Sequence, residues 1–193
     1  MDIKEVIKKR RTIRKYQQKP ISRDILSELA ESARLAPSAA NMQPLAYLVV
    51  DQADLLETVF ATVKWAGYLA PHANPKEGEK PVAYILVLAD TTIREDGYQH
   101  DAGAAIENIS LLAWHYGIGS CWIGSVDRPA LQKALKIPGK YAIDSVIALG
   151  YSAEESEAED ENGSIKYYKD NQKKLHVPKR KLTDICFFNQ IEG

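Results

Sequence analysis

Basic and hydroxyl side chains are concentrated near the N-terminus, in the segment RRTIRKY. Arg10, Arg11 and Arg14 carry guanidinium groups and Thr12 adds a hydroxyl, all where a predicted helix ends. Guanidinium groups pair bidentately with phosphate, and a hydroxyl adds a neutral donor. A solvated basic face that balances the helix dipole is the alternative. The segment therefore indicates either a local phosphate site or a charged surface.

A second polar segment, PSAANMQP, lies between Pro37 and Pro44. Ser38, Asn41 and Gln43 provide hydroxyl and amide groups suited to hydrogen-bonding the edge of a heterocycle or a polyol. The alternative is a helix-to-strand connection in which these side chains satisfy their own backbone.

The third segment, GIGSCWIG, contains glycines that follow a predicted helix and precede a strand. A dinucleotide-binding fingerprint needs the opposite order, so we exclude it. Gly117 is placed to end the helix, and Gly124 is placed where backbone could approach a ligand. A buried strand with a bulge is the alternative. Cys121 lies in an apolar stretch and is predicted to be a core thiol rather than a nucleophile.

The rest of the sequence shows no acid–base or nucleophile set. The four histidines are scattered without metal-ligand spacing, so no metal site is predicted. Residues 151–163, which are rich in acids, are predicted to form a mobile solvated loop. Trp65 and Tyr68 lie in a segment interrupted by glycine and proline. They either line a substrate pocket as part of a lid or anchor that loop.

The elements that position these segments follow from hydrophobic periodicity and capping. Asp2, Ser22 and Asp127 are the predicted helix N-caps. Helices are predicted at 3–10, between Ser22 and Pro37, at 53–64, at 98–116 and after Asp127, and strands at 45–51, 82–90, 119–126 and 143–151. This order indicates an α/β-type mixture in one domain over residues 1–193.

Composition narrows the function classes. The chain has 193 residues, 45% of them hydrophobic, and a net charge of −1, which excludes a wholly disordered protein. Its longest apolar stretch, residues 82–89, is too short to cross a bilayer. The N-terminus is charged from residue 2, and the two cysteines lack CxxC spacing. We therefore expect a cytoplasmic protein with no membrane partner.

The near-zero net charge averages strongly charged segments. Residues 1–20 carry +6, residues 166–184 carry +5 and residues 151–163 carry −6. This pattern argues against general nucleic-acid binding through the basic ends, but it is compatible with a small local anion site.

Taken together, the order and spacing of RRTIRKY, PSAANMQP, GIGSCWIG and the C-terminal KRKLTDI resemble the nitroreductase family of flavoproteins. The resemblance covers nearly the whole chain except residues 65–80 and 151–163. It implies an α+β, three-layer fold with a central, mostly antiparallel sheet flanked by helices. It also implies an intertwined homodimer with two FMN sites at the subunit interface.

The resemblance assigns residues to FMN segment by segment. Those that match the phosphate and ribityl site are Arg10, Arg11, Thr12 and Arg14, joined by the C-terminal pair Lys179 and Arg180. Those that match the loop contributed across the interface are Pro37, Ser38, Ala39 and Asn41. Those that match the backbone facing the isoalloxazine ring near N5 and O4 are Ile123, Gly124 and Ser125. The chain departs from the family at Thr12, where serine is common, at Leu45, where an aromatic is frequent, and at Lys181, where proline is frequent.

The activity that the resemblance implies is ping-pong electron transfer. NADH or NADPH delivers hydride to flavin N5, and a nitroaromatic, quinone or similar small acceptor then takes the electrons. The same scaffold supports reductive dehalogenation, flavin fragmentation and azoline oxidation, and a non-catalytic flavin-binding protein is a further alternative.

Overall fold

The computed structural model describes residues 1–65 and 74–191. In this part of the chain the strands of the central sheet are β1 (Leu45–Val50), β2 (Ala83–Asp90), β3 (Ile118–Ile123) and β4 (Tyr141–Tyr151). They lie in the order β1-β2-β4-β3, and each neighbouring pair is antiparallel. The helices are α1 (Ile3–Lys9), α2 (Arg23–Arg34), α3 (Ala53–Phe60), α4 (Gln99–His115) and α5 (Arg128–Ala134).

Helices cover both faces of this sheet. Residues of β2 alternate between two buried clusters because successive side chains of a strand point to opposite faces. Tyr84 and Leu86 pack with Leu131 of α5 on one face, whereas Ile85 packs with Ile106 of α4 on the other. The predicted α+β fold with a mostly antiparallel sheet between helical layers is therefore confirmed.

Two of the three predicted helix caps are confirmed. The Ser22 hydroxyl accepts a hydrogen bond from the Ile25 backbone N–H at 3.4 Å, and Asp127 accepts one from Ala130 at 3.2 Å. Asp2 precedes α1, but its side chain makes no cap hydrogen bond. The predicted third helix is too long, since α3 ends at Phe60.

The N-terminal basic segment adds to the edge of the sheet. Thr12 pairs with Ser120 of β3, and the Ile13 backbone N–H donates to the Ser120 carbonyl oxygen at 2.9 Å. A Cβ built on Gly119 would lie 2.7 Å from the Ile13 Cβ, and one built on Gly150 would lie 2.7 Å from the Tyr16 ring. These glycines let the basic segment lie directly on β3 and β4.

The acidic segment is not the predicted mobile loop. It contains strand β5 (Ser156–Asp160), which pairs in parallel with β7 (Leu175–Lys179), while β6 (Tyr168–Lys169) pairs with the other edge of β7. Cations on β7 and the turn before it offset the acidic charge: Glu157 lies 2.5 Å from the Lys174 ammonium, and Glu159 lies 2.9 Å from His176. The prediction was wrong because it treated the −6 and +5 segments as separate surfaces.

None of the helices in the described residues is both long and apolar enough to span a membrane.

Candidate functional site

Arg10 and Arg11 form a half-buried cationic pair at the end of α1. The Arg10 Nε lies 3.3 Å from a carboxylate oxygen of Glu107 on α4. The Arg11 guanidinium donates to the backbone oxygens of Lys8 and Arg10. Burial lowers the pKa of Arg11 below its usual value, and the charge of Arg10 acts in the same direction. Among the described residues the Arg11 Nε has no hydrogen-bond partner, and the Arg10 Nε has the ion pair with Glu107 but no hydrogen bond, so the two guanidinium groups could accept an anionic ligand.

Arg14 connects the basic segment to the second sheet. Its backbone N–H donates to the Glu154 carboxylate at 2.7 Å, and that carboxylate also pairs with Lys169 of β6 at 3.0 Å. Only 6% of the Glu154 side chain is exposed. The Arg14 guanidinium lies 5.3 Å from the centroid of the Tyr167 ring. A buried carboxylate missed by sequence reasoning thus fixes the chain between Thr12 and Arg14.

Lys179 and Arg180 are exposed where β7 ends. The Lys179 carbonyl oxygen accepts a hydrogen bond from the Glu161 backbone at 2.8 Å, and the Arg180 guanidinium donates to the Asp184 carbonyl oxygen at 3.0 Å. The predicted C-terminal pair and Arg14 therefore both depend on the second sheet for their positions.

The loop at residues 37–44 is attached to the first turn of α4. The Ser38 hydroxyl donates to one Asp101 carboxylate oxygen at 2.7 Å, and the Ala39 backbone N–H donates to the other at 3.2 Å. The Ser38 oxygen also accepts a hydrogen bond from the Gln43 backbone N–H at 2.9 Å. Ser38 thus satisfies loop backbone, as the connector alternative expects, but it also binds a buried carboxylate.

Next to this loop lies a cavity of about 130 Å³. Pro37, Ser38, Gln43, Tyr47 and Asp101 are among the residues that line it. Burial, followed by the Asp101 charge, raises the pKa of Tyr47 to about 12, so its phenol stays protonated at neutral pH. The cavity therefore offers a hydroxyl donor beside a carboxylate.

The end of β3 combines an exposed indole with open space. Trp122 is 50% exposed, and its indole N–H donates to the Ser145 hydroxyl at 2.8 Å. Ile123 is buried, whereas Gly124 and Ser125 are exposed. A Cβ built on Gly124 would meet nothing within 4 Å. Packing among the described residues therefore does not require glycine at this position and leaves its backbone open to the approach of a ligand.

Two predicted binding segments contact different sides of α4. Arg10 pairs with Glu107, and the Ser38 hydroxyl bonds to Asp101. Six residues along a helix of 3.6 residues per turn place Asp101 and Glu107 about 120° apart around the axis. Gly103 is only about 40° from Glu107, and a Cβ built on Gly103 would lie 3.7 Å from the Trp122 ring. The RRTIRKY segment and Trp122 thus share one side of α4, and the Ser38 loop lies on another.

Trp65 is buried, with 8% of its surface exposed, and its ring centroid lies 5.8 Å from that of Phe60. This placement favours the anchoring alternative over a pocket-lining role for Trp65. The other predicted pocket residue, Tyr68, lies outside the described residues.

His176 is the centre of a charged cluster on the second sheet. Its Nδ1 lies 2.9 Å from Glu159, its Nε2 lies 3.2 Å from Asp170, and its ring stacks on Tyr168 with centroids 4.9 Å apart. Ligand atoms of Glu157, Glu159 and His176 lie within 4.8 Å of one another. Both ring nitrogens face carboxylates, however, and this arrangement suits a protonated imidazolium in an ion-pair cluster.

Sequence reasoning missed Asp101, Glu154 and Glu107, which hold the predicted site segments without belonging to them. Asp101 and Glu107 were inside a correctly predicted helix, and Glu154 was inside the acidic segment. The sequence offered one signal for such residues, which is an acidic residue on the apolar face of a predicted helix. Asp101 is an example, because helical spacing places it on the same face as the buried Ala105.

Solved structures with this arrangement of sheet and helices include nitroreductases. An FMN-dependent nitroreductase from Clostridium difficile R20291 superposes with a TM-score of 0.71 at 26% identity, covering 96% of this chain and 98% of that one. An FMN complex from Desulfovibrio desulfuricans gives a TM-score of 0.73 at 24% identity, covering 100% of this chain and 99% of that one.

Sequence comparison gives the same result. A protein from Archaeoglobus fulgidus, provisionally named NADH dehydrogenase/NAD(P)H nitroreductase, is 35% identical over 160 residues, which is 79% of this chain and 87% of that protein. The sequence model of the Nitroreductase family matches residues 7–151. This chain therefore belongs to the nitroreductase family, as its motifs predicted.

Proposed function

We propose that this protein is an FMN-dependent oxidoreductase that transfers electrons from NADH or NADPH to nitroaromatic, quinone or similar small acceptors. The observation that carries the proposal is the half-buried Arg10–Arg11 pair: the Arg11 Nε has no hydrogen-bond partner among the described residues, and the Arg10 Nε has only the ion pair with Glu107. Family membership and the FMN dependence stated for the Clostridium difficile relative support it.

The residues present suit FMN in charge and shape. Arg10, Arg11 and Thr12 would hold the phosphate and ribityl chain, with Arg14, Lys179 and Arg180 adding positive charge. The open space beside Gly124 would receive the isoalloxazine ring, which would then lie against the backbone of residues 123–125. Bound FMN would supply the two-electron redox chemistry, so the chain itself needs to provide binding, orientation and charge compensation.

We also propose that the protein is a homodimer and that each FMN site uses both subunits. One chain presents the basic segment and the Ser38 loop on different sides of α4, so a second copy is needed to bring the two kinds of segment together if both contact one flavin. Several large apolar side chains are exposed in the single chain, as an interface requires. They include Ile3, Ile7, Met42, Trp122, Leu182 and Phe188.

The first test is the visible spectrum of the purified protein. We expect a flavin band, release of FMN on denaturation and bleaching of the band by NADH or NADPH under anaerobic conditions. Reoxidation by menadione or nitrofurazone would establish the acceptor class. A protein that neither contains nor takes up FMN would contradict the proposal, and one that binds FMN but is not bleached would be a flavin-binding protein without this activity.

The second test uses Arg11→Met with Lys9→Met as the matched control. Lys9 is an exposed basic residue of α1 that pairs with Glu5 at 3.0 Å. Charge-assisted hydrogen bonds contribute about 1.5–3 kcal/mol each, so loss of one predicts roughly 10- to 150-fold weaker FMN binding. We expect this loss in Arg11→Met alone. Equal affinities in the two variants would contradict the assignment of Arg11.

A further inference from the structure

Asp101 is a buried carboxylate whose hydrogen-bond partners, within residues 1–65 and 74–191, both lie in one loop. Its residue is 4% exposed in the first turn of α4. Its two oxygens accept hydrogen bonds from the Ser38 hydroxyl and the Ala39 backbone N–H. The Arg94 guanidinium is 3.8 Å away, and its Nη1 makes no hydrogen bond within the described part of the chain. The two hydrogen bonds from the loop and the nearby Arg94 charge therefore offset the desolvation of this carboxylate.

The loop that Asp101 holds has an unusual backbone. Ala40, Asn41 and Gln43 have φ values of 51°, 53° and 52°. Residues other than glycine adopt this left-handed region infrequently, and such a conformation persists only where surrounding contacts impose it.

One carboxylate restrains both ends of this strained segment. Asp101 binds Ser38 and Ala39 directly on the N-terminal side. It acts on Gln43 through the Ser38 hydroxyl, which donates a hydrogen bond to Asp101 and accepts one from the Gln43 backbone N–H. A hydroxyl committed as a donor to an anion is oriented so that its lone pairs face the remaining donor. The loop conformation is therefore coupled to the charge on Asp101.

We propose that Asp101 is a positioning residue for the flavin: through Ser38 and Ala39 it holds the residue 37–44 loop in the shape that binds FMN in the partner subunit. The inference rests on the proposed function. The proposed role concerns the partner's flavin site and not the site formed by the basic segment of the same chain. That basic segment contacts the other side of α4, at Glu107.

The first experiment compares Asp101→Asn with Asp54→Asn. Both aspartates lie in the first turn of a helix, but Asp54 is exposed on α3, so the control matches the effect of the helix dipole. FMN release from diluted holoprotein is followed by flavin fluorescence. We expect at least about tenfold weaker retention in Asp101→Asn and none of this loss in Asp54→Asn. Equal retention in both variants overturns the inference.

The second experiment separates positioning from general loss of structure. Differently tagged Arg11→Met and Asp101→Ala chains are co-expressed, and the mixed dimer is purified. If Asp101 acts on the partner's flavin, both defects fall in one site and the other site has neither. We therefore expect one FMN of wild-type affinity per mixed dimer. Two weakened sites, as expected if Asp101 acts within its own chain or the variant misfolds, overturn the inference.

A third readout needs no flavin. Hydrogen exchange at the Ala39 and Gln43 backbone amides should accelerate in Asp101→Asn and in Ser38→Ala, while exchange in β2 stays slow. Unchanged exchange at both amides overturns the role of Asp101. If the wild-type protein never binds FMN, both the proposed function and this inference are overturned. If the wild-type protein binds FMN and Asp101→Asn retains it equally well, only this inference is overturned.

Discussion

Ile13 lies so close to Gly119 that a Cβ on the glycine would be 2.7 Å from the Ile13 Cβ. Ile13 is 1% exposed, and it lies between Thr12 and Arg14 of the basic segment. The absence of a side chain at Gly119 therefore helps to set the position of the proposed phosphate site, although the atoms of Gly119 need not contact FMN.

Gly119→Ala is expected to destabilise the protein because the new methyl must displace Ile13. Overpacking of this kind costs about 1–3 kcal/mol. For a chain of this length, that corresponds to a fall in the melting temperature of roughly 2–12 °C. Thermal unfolding followed by circular dichroism measures the shift. Gly139→Ala is the control because a Cβ there meets nothing within 4 Å. Equal melting temperatures in the two variants would show that Ile13 relaxes without cost.

Gly124→Val should have the opposite profile, with little change in the unfolding temperature of the apoprotein but much weaker FMN binding. The described residues leave the space beside Gly124 open, so the cost of a side chain arises only when the ligand approaches. A steric cost of about 1–3 kcal/mol predicts roughly 5- to 150-fold weaker binding. Flavin fluorescence titration measures the affinity, and Gly139→Val controls for the substitution itself. Unchanged FMN affinity would contradict the proposed position of the isoalloxazine ring beside Gly124.

The second sheet should lose stability as pH rises above about 6.5. The hydrogen bond to Glu159, followed by that to Asp170, raises the pKa of His176 above its ordinary value of 6.5. A raised pKa in the folded state means that protonation favours folding. The contribution of His176 is thus complete below about pH 6.5 and is lost as pH rises through the folded-state pKa.

The carboxylates of this cluster have the opposite dependence. Hydrogen bonds to His176 lower the pKa of Glu159 and of Asp170, so their contributions are lost as pH falls toward the acid range. Stability is therefore expected to be highest in mildly acidic solution. Thermal unfolding between pH 5 and pH 9 should show a decline above about pH 6.5 that His176→Gln removes and His115→Gln retains. A slope that survives in His176→Gln would assign the dependence to another group.

The two cysteines should differ sharply toward thiol reagents. Burial raises the pKa of Cys121 to about 11, whereas Cys186 is exposed. Because the thiolate is the reactive form, native protein at pH 7.5 should incorporate one iodoacetamide group, at Cys186, and denatured protein should incorporate two. Peptide mass spectrometry identifies the site. Rapid alkylation of Cys121 in the native protein would contradict its place in the core.

The sheet and the long helices were predictable because their signals are local. The run of apolar residues that became β2 indicates a strand buried on both faces, and Gly117, with φ of 73°, ends α4 as its sequence position indicates. Ser22 and Asp127 cap helices for the same reason, since a cap hydrogen bond joins residues only a few positions apart.

The second sheet and the supports of the candidate site were not predictable in this way. Glu154 meets Arg14, and Asp101 meets Ser38, across long sequence separations that periodicity does not report. The acidic strand β5 also contradicts local propensity, because its charges are compensated by residues that follow it in the chain. The family motifs predict which segments bind FMN, but only the fold shows which carboxylates contact those segments.

The addition of the N-terminal segment to β3 and β4 has a consequence for synthesis on the ribosome. Thr12 pairs with Ser120 and Tyr16 pairs with Ser152, so each partner is translated more than a hundred residues later. At about 5–20 residues per second, the basic segment is complete roughly 5–20 s or more before its docking strands exist. The basic segment is thus the first part of the candidate site to be synthesised, but it is one of the last that can reach its final position.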